Sequence, residues 1–179
     1  MDDSRPTTSG FLSRPGTPGA FGALMDEYAR AAEAFCARAE SFDGEAWTAE
    51  VPDDDPDSRS PRAVGEHAVY AAFGYSNYLR RALGLPAPSP DSQERKAQRR
   101  GLPAPADLRP ALAEAIRITE VSGERLRGRD ADGDWAREFR VGWGATYNAE
   151  SLLEHAVCHL LRHRRQLERW DPARPGKAP

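Results

Sequence analysis

An all-α fold of four helices is the class this sequence predicts, and three observations carry the expectation. The 15 prolines of the 179-residue chain leave proline-free windows at 19–51, 62–85 and 111–171, where regular structure can run unbroken. Inside those windows apolar residues recur at three- and four-residue spacing, the helical period. No window shows a convincing strand alternation, so helix-on-helix packing is the expected architecture.

Residues 1–18 mix Ser, Thr, Gly, Pro and Asp around one apolar pair, Phe11-Leu12. That pair cannot offset the entropy of ordering the segment, so a flexible arm is expected. The helical domain spans 19–171, and 172–179 forms a tail. The first long helix starts near Phe21 and places Leu24, Met25, Tyr28, Ala32, Phe35, Cys36 and Ala39 on an inner stripe, ending between Phe42 and Gly44. A polar connector, Pro52 to Ser58, leads to Ser60-Pro61, an N-cap followed by proline at the first helical position. The second helix then runs to Leu83, with Gly84 as its stop.

Five prolines punctuate the connection from Gly84 to Ala106, around a charged stretch from Asp91 to Arg100 that is expected to hold a turn of solvated helix. A connection of this length can cross the long axis of a bundle and leave the second and third helices parallel. The third helix carries Leu108, Leu112, Ala115, Ile116, Thr119 and Leu126 and closes at Gly128. Asp130 to Ala145, with Trp135, Phe139 and Trp143 among glycines, reads as a hairpin or irregular cover. Thr146 or Asn148 caps the fourth helix, which runs to Trp170.

Composition removes several classes. No apolar stretch approaches the roughly 20 residues that cross a bilayer, and the Met1-Asp2-Asp3 start has no basic or apolar leader. A cytoplasmic chain is expected, and with it a reduced Cys36 and Cys158. The formal net charge of −3 gives no general attraction to nucleic acid. Arg162, Arg164, Arg165 and Arg169 are basic, but Glu154 and Glu168 interleave with them. The Asp130-Ala131-Asp132-Gly133-Asp134 run lacks the glycine and glutamate of a calcium loop, having Trp135 and Val141 at those positions.

The four histidines form a pattern. His67 stands on the inner stripe of the second helix, while His155, His159 and His163 follow at four-residue intervals in the fourth. Histidines four apart share a helix face and can grip one metal ion, with the third ligand supplied by another element. If the second and fourth helices are antiparallel neighbours, His67 near the start of one is level with His163, and with His159 one turn in. His155 lies two turns away. The expected ligand set is therefore His67, His159 and His163, with His155 as a pocket residue. The competing reading is of histidines hydrogen-bonded along a polar seam with Glu150, Glu154 and Arg162. Three inward imidazoles need partners for six ring nitrogens, which a dry core rarely supplies.

The segments Glu66-His67 and His159-Leu160-Leu161-Arg162-His163-Arg164-Arg165-Gln166, with Trp143-Gly144 before the fourth helix, resemble the DinB/YfiT-like superfamily of small four-helix metalloproteins. The sequence departs from the family's usual glycine at Arg165, and His155 is an addition. The resemblance implies an up-down-down-up bundle, a divalent metal on the three matched histidines, and frequent homodimers. It also implies metal-dependent chemistry in which some relatives use low-molecular-weight thiols.

The expected function is a metal-dependent enzyme of the thiol S-transferase or hydrolase type, acting on a small molecule. Zn²⁺ or Ni²⁺ would suit the imidazole ligands, and a low-molecular-weight thiol is a candidate cosubstrate. Tyr70, Tyr75 and Tyr28 are candidate hydrogen-bond donors in the pocket, and His155 a candidate proton shuttle. The alternative is a non-enzymatic metal or small-ligand module on the same fold, in sensing or stress protection. Neither nucleic acid nor membrane is an expected partner.

Overall fold

The computed structural model describes residues 18–51, 58–89, 92–98, 101–127 and 133–170. The expected N-terminal arm up to residue 17, most of the Pro52–Ser58 connector, Arg99-Arg100 and the tail lie outside the described residues. So do the first three residues of the acidic 130–134 run.

Helices dominate. Helix α1 spans Gly19–Ala39 and buries Phe21, Met25, Tyr28, Ala32, Phe35, Cys36 and Ala39 along one stripe. It ends earlier than the sequence suggests, because Phe42 folds back through a bond from its N–H to the Ala39 carbonyl. A short helix α2, Gly44–Thr48, follows, started by Asp43, whose carboxylate accepts from the Ala46 N–H at 2.8 Å. It sinks Trp47 fully into the core, where the indole N–H donates to the Leu102 carbonyl. The sequence reading missed this element because five residues carry no periodicity.

Helix α3, Pro61–Ala82, begins where Ser60 Oγ accepts from the Ala63 N–H at 3.0 Å. It stops at Gly84, whose φ of 68° lies in the left-handed region that glycine enters freely. The connection that follows holds helix α4, Gln93–Ala97, capped by Ser92. The turn of helix is present, but it is not solvated throughout: Arg95 is buried. Its guanidinium lies 3.6 Å over the Tyr70 ring and donates to the Tyr70 carbonyl and to Gln98 Oε1.

After a 3₁₀ turn, Pro105–Asp107, helix α5 runs Leu108–Gly123 and tightens into a second 3₁₀ turn, Glu124–Leu126; the expected stop, Gly128, lies outside the described residues. Gly123 is where α5 meets α1 most closely: a Cβ there would stand 2.4 Å from the Phe21 ring. Helix α6, Gly133–Ala136, buries Trp135. Strands β1, Phe139–Arg140, and β2, Thr146–Tyr147, then pair antiparallel with Phe139 opposite Tyr147. The expected cover thus combines a helical turn with a hairpin. Helix α7, Ala149–Arg169, starts from a reciprocal cap in which Asn148 Oδ1 accepts from the Ser151 N–H and Ser151 Oγ accepts from the Asn148 N–H.

The four long helices share one core. Helix α1 packs on α7 and α5, and α3 packs on α5 and α7. Arg109 at the start of α5 holds Glu33 and both carboxylate oxygens of Glu40 near the end of α1. Arg38, also near that end of α1, donates to the Leu167 carbonyl close to the end of α7. The start of α3 meets the start of α5, since Leu108 lies beside Gly65. Farther along, Ser76 Oγ donates to the Ala115 carbonyl and pairs with Thr119. Phe21, Phe35, Trp47, Phe73, Leu79, Leu112 and Leu152 fill the shared interior. Removing such apolar area from water is the main stabilising term, about 25 cal/mol per Å². Among the described residues, no helix is long and apolar enough to cross a membrane.

Candidate metal centre

Three imidazoles converge where the first half of α3 faces the last turns of α7. His67 Nε2 lies 3.2 Å from His159 Nε2, and His163 Nε2 lies 3.2 Å from the same atom. The three ligand atoms sit within 4.8 Å of one another. Nitrogens bound to one ion at roughly 2.1 Å, about 90° to 110° apart, stand about 3.0 to 3.4 Å from each other. Both close contacts fall in that interval, so these residues can hold a metal ion.

The protons of the cluster fit a bound cation as well. Gln166 Oε1 can only accept, so the 2.9 Å contact makes His163 Nδ1 the donor. The neutral ring then keeps its lone pair on Nε2, directed at His159. A proton on His159 Nε2 can be donated along one of its two close contacts only. One cation among three lone pairs satisfies both. Burial first, and then the neighbouring His163 and His67 imidazoles, push the His159 pKa down to about 2, so the central imidazole stays neutral and available as a ligand.

The environment of the cluster differs on its two sides. Toward the core, His163 is buried and held by Gln166, and His159 Nδ1 is buried without a hydrogen-bond partner. On the other side a cavity of about 580 Å³ opens against His67, His159 and His155. Volumes of this size are typical of small-molecule sites. Its walls are aromatic: Tyr70, Tyr75, Tyr78 and Trp143. The Trp143 indole stacks on His155 at 5.9 Å between ring centroids and meets Tyr75, Tyr78 and Tyr147 edge-on. The hairpin is fixed over the cavity by the Gly142 N–H, which donates to the Tyr78 hydroxyl at 2.7 Å. A Cβ on Gly142 would stand 2.7 Å from that hydroxyl, so a larger residue there would have to push the Tyr78 tip aside.

The structure places His67, His159 and His163 together and sets His155 apart, where its Nδ1 pairs with the Tyr147 hydroxyl at 3.2 Å. Burial lowers the His155 pKa, so it is neutral near pH 7 and able to accept a proton. Tyr70 and Tyr75 line the cavity, and burial raises the Tyr75 pKa, keeping its hydroxyl protonated. Tyr28 does not line it: the side chain is fully buried in the core, and its hydroxyl has no hydrogen-bond partner. The inner stripe of α1 placed it inward, but toward packing instead of the pocket. Of the cysteines, Cys36 is buried and its thiol pKa is pushed up to about 12 by burial. Cys158 is free and exposed.

Sequence reasoning missed Arg81, Arg95, Tyr78, Trp143 and Arg162 as cavity residues. For Tyr78 and Arg81 the signal was present, because they continue the three- and four-residue spacing of His67, Tyr70, Gly74 and Tyr75 on α3. Arg95 reaches the cavity from the crossover, which no local spacing announces. No protein-family model, no curated protein and no solved structure matches this chain.

Proposed function

We propose that the chain is a divalent-metal-dependent enzyme of the thiol S-transferase or hydrolase type, built on an up-down-down-up four-helix bundle related to the DinB/YfiT-like metalloproteins. Three contacts support the topology. The beginning of α5 lies beside the end of α1, as an antiparallel pair would have it; α1 and α7 approach at their ends, and α3 and α5 at their starts by the Gly65–Leu108 approach, as parallel pairs would.

The observation that carries the functional reading is the pair of 3.2 Å Nε2–Nε2 contacts at the rim of an aromatic cavity. His67, His159 and His163 would hold the ion, Zn²⁺ or Ni²⁺ by donor chemistry. When bound, such an ion lowers the pKa of a water or thiol and supplies a nucleophile at neutral pH. The neutral shell leaves the ion's full charge to act on that ligand. Gln166 holds the His163 ring in the tautomer and orientation that ligation needs. His155, neutral and paired with Tyr147, stands ready to take a proton from a cosubstrate entering the cavity. Tyr75, between His155 and His159, offers a protonated hydroxyl to an anionic or carbonyl oxygen of the substrate.

The test is turnover. Zn²⁺- or Ni²⁺-loaded protein is incubated with low-molecular-weight thiols and electrophilic acceptors, and separately with ester and amide substrates. The proposal expects activity that chelator removes and metal restores. Ligand-induced stabilisation without turnover under any of these conditions would favour the non-catalytic binding module instead.

A further inference from the structure

The cavity does not end at the histidines. It follows one face of α3 from His67 to Arg81, about 21 Å along the helix axis. A second hollow of about 490 Å³ adjoins it across the Gly142–Tyr78 contact, shares Tyr78, Arg81 and Gly142 as lining and adds Arg140 from the hairpin. Charge along this path is of one sign. Arg162 stands at the histidine end, Arg95 in the middle, and Arg81 and Arg140 at the far end, while no carboxylate lines either hollow among the described residues.

The arginines at the far end are placed for a ligand. Arg81 lies over the Tyr78 ring at 4.9 Å and uses one terminal nitrogen on the Pro88 carbonyl at 2.6 Å. That contact fixes the guanidinium and leaves further N–H donors on it. Arg140 is exposed on β1, across from Thr146. Between the two ends, Tyr75, Tyr78 and Trp143 give the path faces suited to a flat or apolar body. Trp143 is 52% exposed despite its ring contacts, and a molecule in the cavity would cover it.

We propose that the cavity takes an elongated anionic small molecule, with a metal-binding head at the three histidines, a body against Tyr78 and Trp143, and an anionic tail held by Arg81 and Arg140. The head rests on the metal reading given above; the tail rests on the arginines alone. For the proposed thiol chemistry, this makes the preferred cosubstrate a thiol carrying a carboxylate or phosphate far from its sulfur. A short neutral thiol would engage the head end only.

Calorimetric titration of the Zn²⁺-loaded full chain tests this with a homologous series of ω-mercaptoalkanoates, the matching ω-mercaptoalkanols, and ω-mercaptoalkyl phosphates. Acids, phosphates or both are expected to outbind the alcohols by about tenfold or more once the chain is long enough to reach Arg81, as charge-assisted hydrogen bonds provide. Which anion gains more identifies the tail. In Arg81→Gln combined with Arg140→Gln, both surface changes, the preference should fall to within about twofold while zinc content and alcohol binding are unchanged. Equal binding of acids, phosphates and alcohols at every length would overturn the proposal, as would a preference that survives the double variant. S-methylated versions of the same ligands separate the two readings. If they bind as tightly as the thiols while the anion preference persists, the metal head fails and the arginine tail stands.

Discussion

His163 donates from Nδ1 to Gln166 Oε1 at 2.9 Å, three residues along the same helix. A histidine thus oriented on α7 presents the Nε2 lone pair to His159. The pair explains why the glutamine belongs to the helix as much as the two histidines do. Partners of this kind typically change metal affinity by about 10- to 100-fold.

Gln166→Leu should therefore weaken Zn²⁺ binding by about 10- to 100-fold without abolishing it, and Gln166→Glu, which can still accept, should restore most of the loss. Competition with a chromophoric chelator measures both. Equal affinities for all three proteins would remove Gln166 from any role in the site.

Loss of a ligand is expected to act differently. His67→Ala and His163→Ala should each abolish stoichiometric binding and remove the metal-dependent rise in melting temperature that follows from binding to the folded chain alone. His155→Ala should keep the metal-dependent rise, since its nitrogen pairs with Tyr147 and not with the cluster. Differential scanning fluorimetry with and without Zn²⁺ distinguishes them.

The histidine cluster also sets a pH dependence. The folded-state pKa of His159 is depressed, to about 2, by burial and its neighbouring imidazoles, whereas an unfolded histidine titrates near about 6.5. Below about pH 6.5 the unfolded chain binds the proton first, so stability is lost progressively as pH falls from about 6.5 toward 2. The urea midpoint of the metal-free protein should be lower at pH 5 than at pH 7.5, and His159→Asn should flatten that difference. An unchanged slope in the variant would mean that other groups dominate acid unfolding.

Much of the fold is legible in the sequence because its signals are local. Ser60-Pro61, Gly84 and Asn148 mark helix ends by the chemistry of caps and the left-handed stop. The four-residue spacing of the α7 histidines, with one antiparallel register, brings forward the same three side chains that the structure gathers. What was not legible depends on distant chain. Trp47 enters the core on a helix too short to show a period, with its bond to Leu102 lying across the crossover. Arg95 is buried because Gly74 leaves room for its guanidinium, 2.9 Å from where a Cβ would stand. The inward face of α1 predicted that Tyr28 is buried, but could not say that it packs in the core behind the cavity.

Helix contact at Gly123 gives a stability prediction independent of the site. An alanine Cβ would meet the Phe21 ring at 2.4 Å, and neither the ring nor the α5 backbone can yield without moving fully buried neighbours. Gly123→Ala should destabilise the protein by about 1–3 kcal/mol, despite alanine's better helix propensity. Chemical denaturation measures it, and a neutral or stabilising result would place α1 and α5 farther apart than described.

The central claim is that one divalent ion sits among His67, His159 and His163, and the most direct measurement is an anomalous-scattering map from crystals of protein purified without a histidine tag. One peak is predicted, about 2.0 to 2.2 Å from the Nε2 atoms of all three residues, with metal analysis giving one ion per chain. No peak between α3 and α7 after soaking in Zn²⁺ and Ni²⁺, with His163→Ala unchanged in metal content and stability, would contradict it.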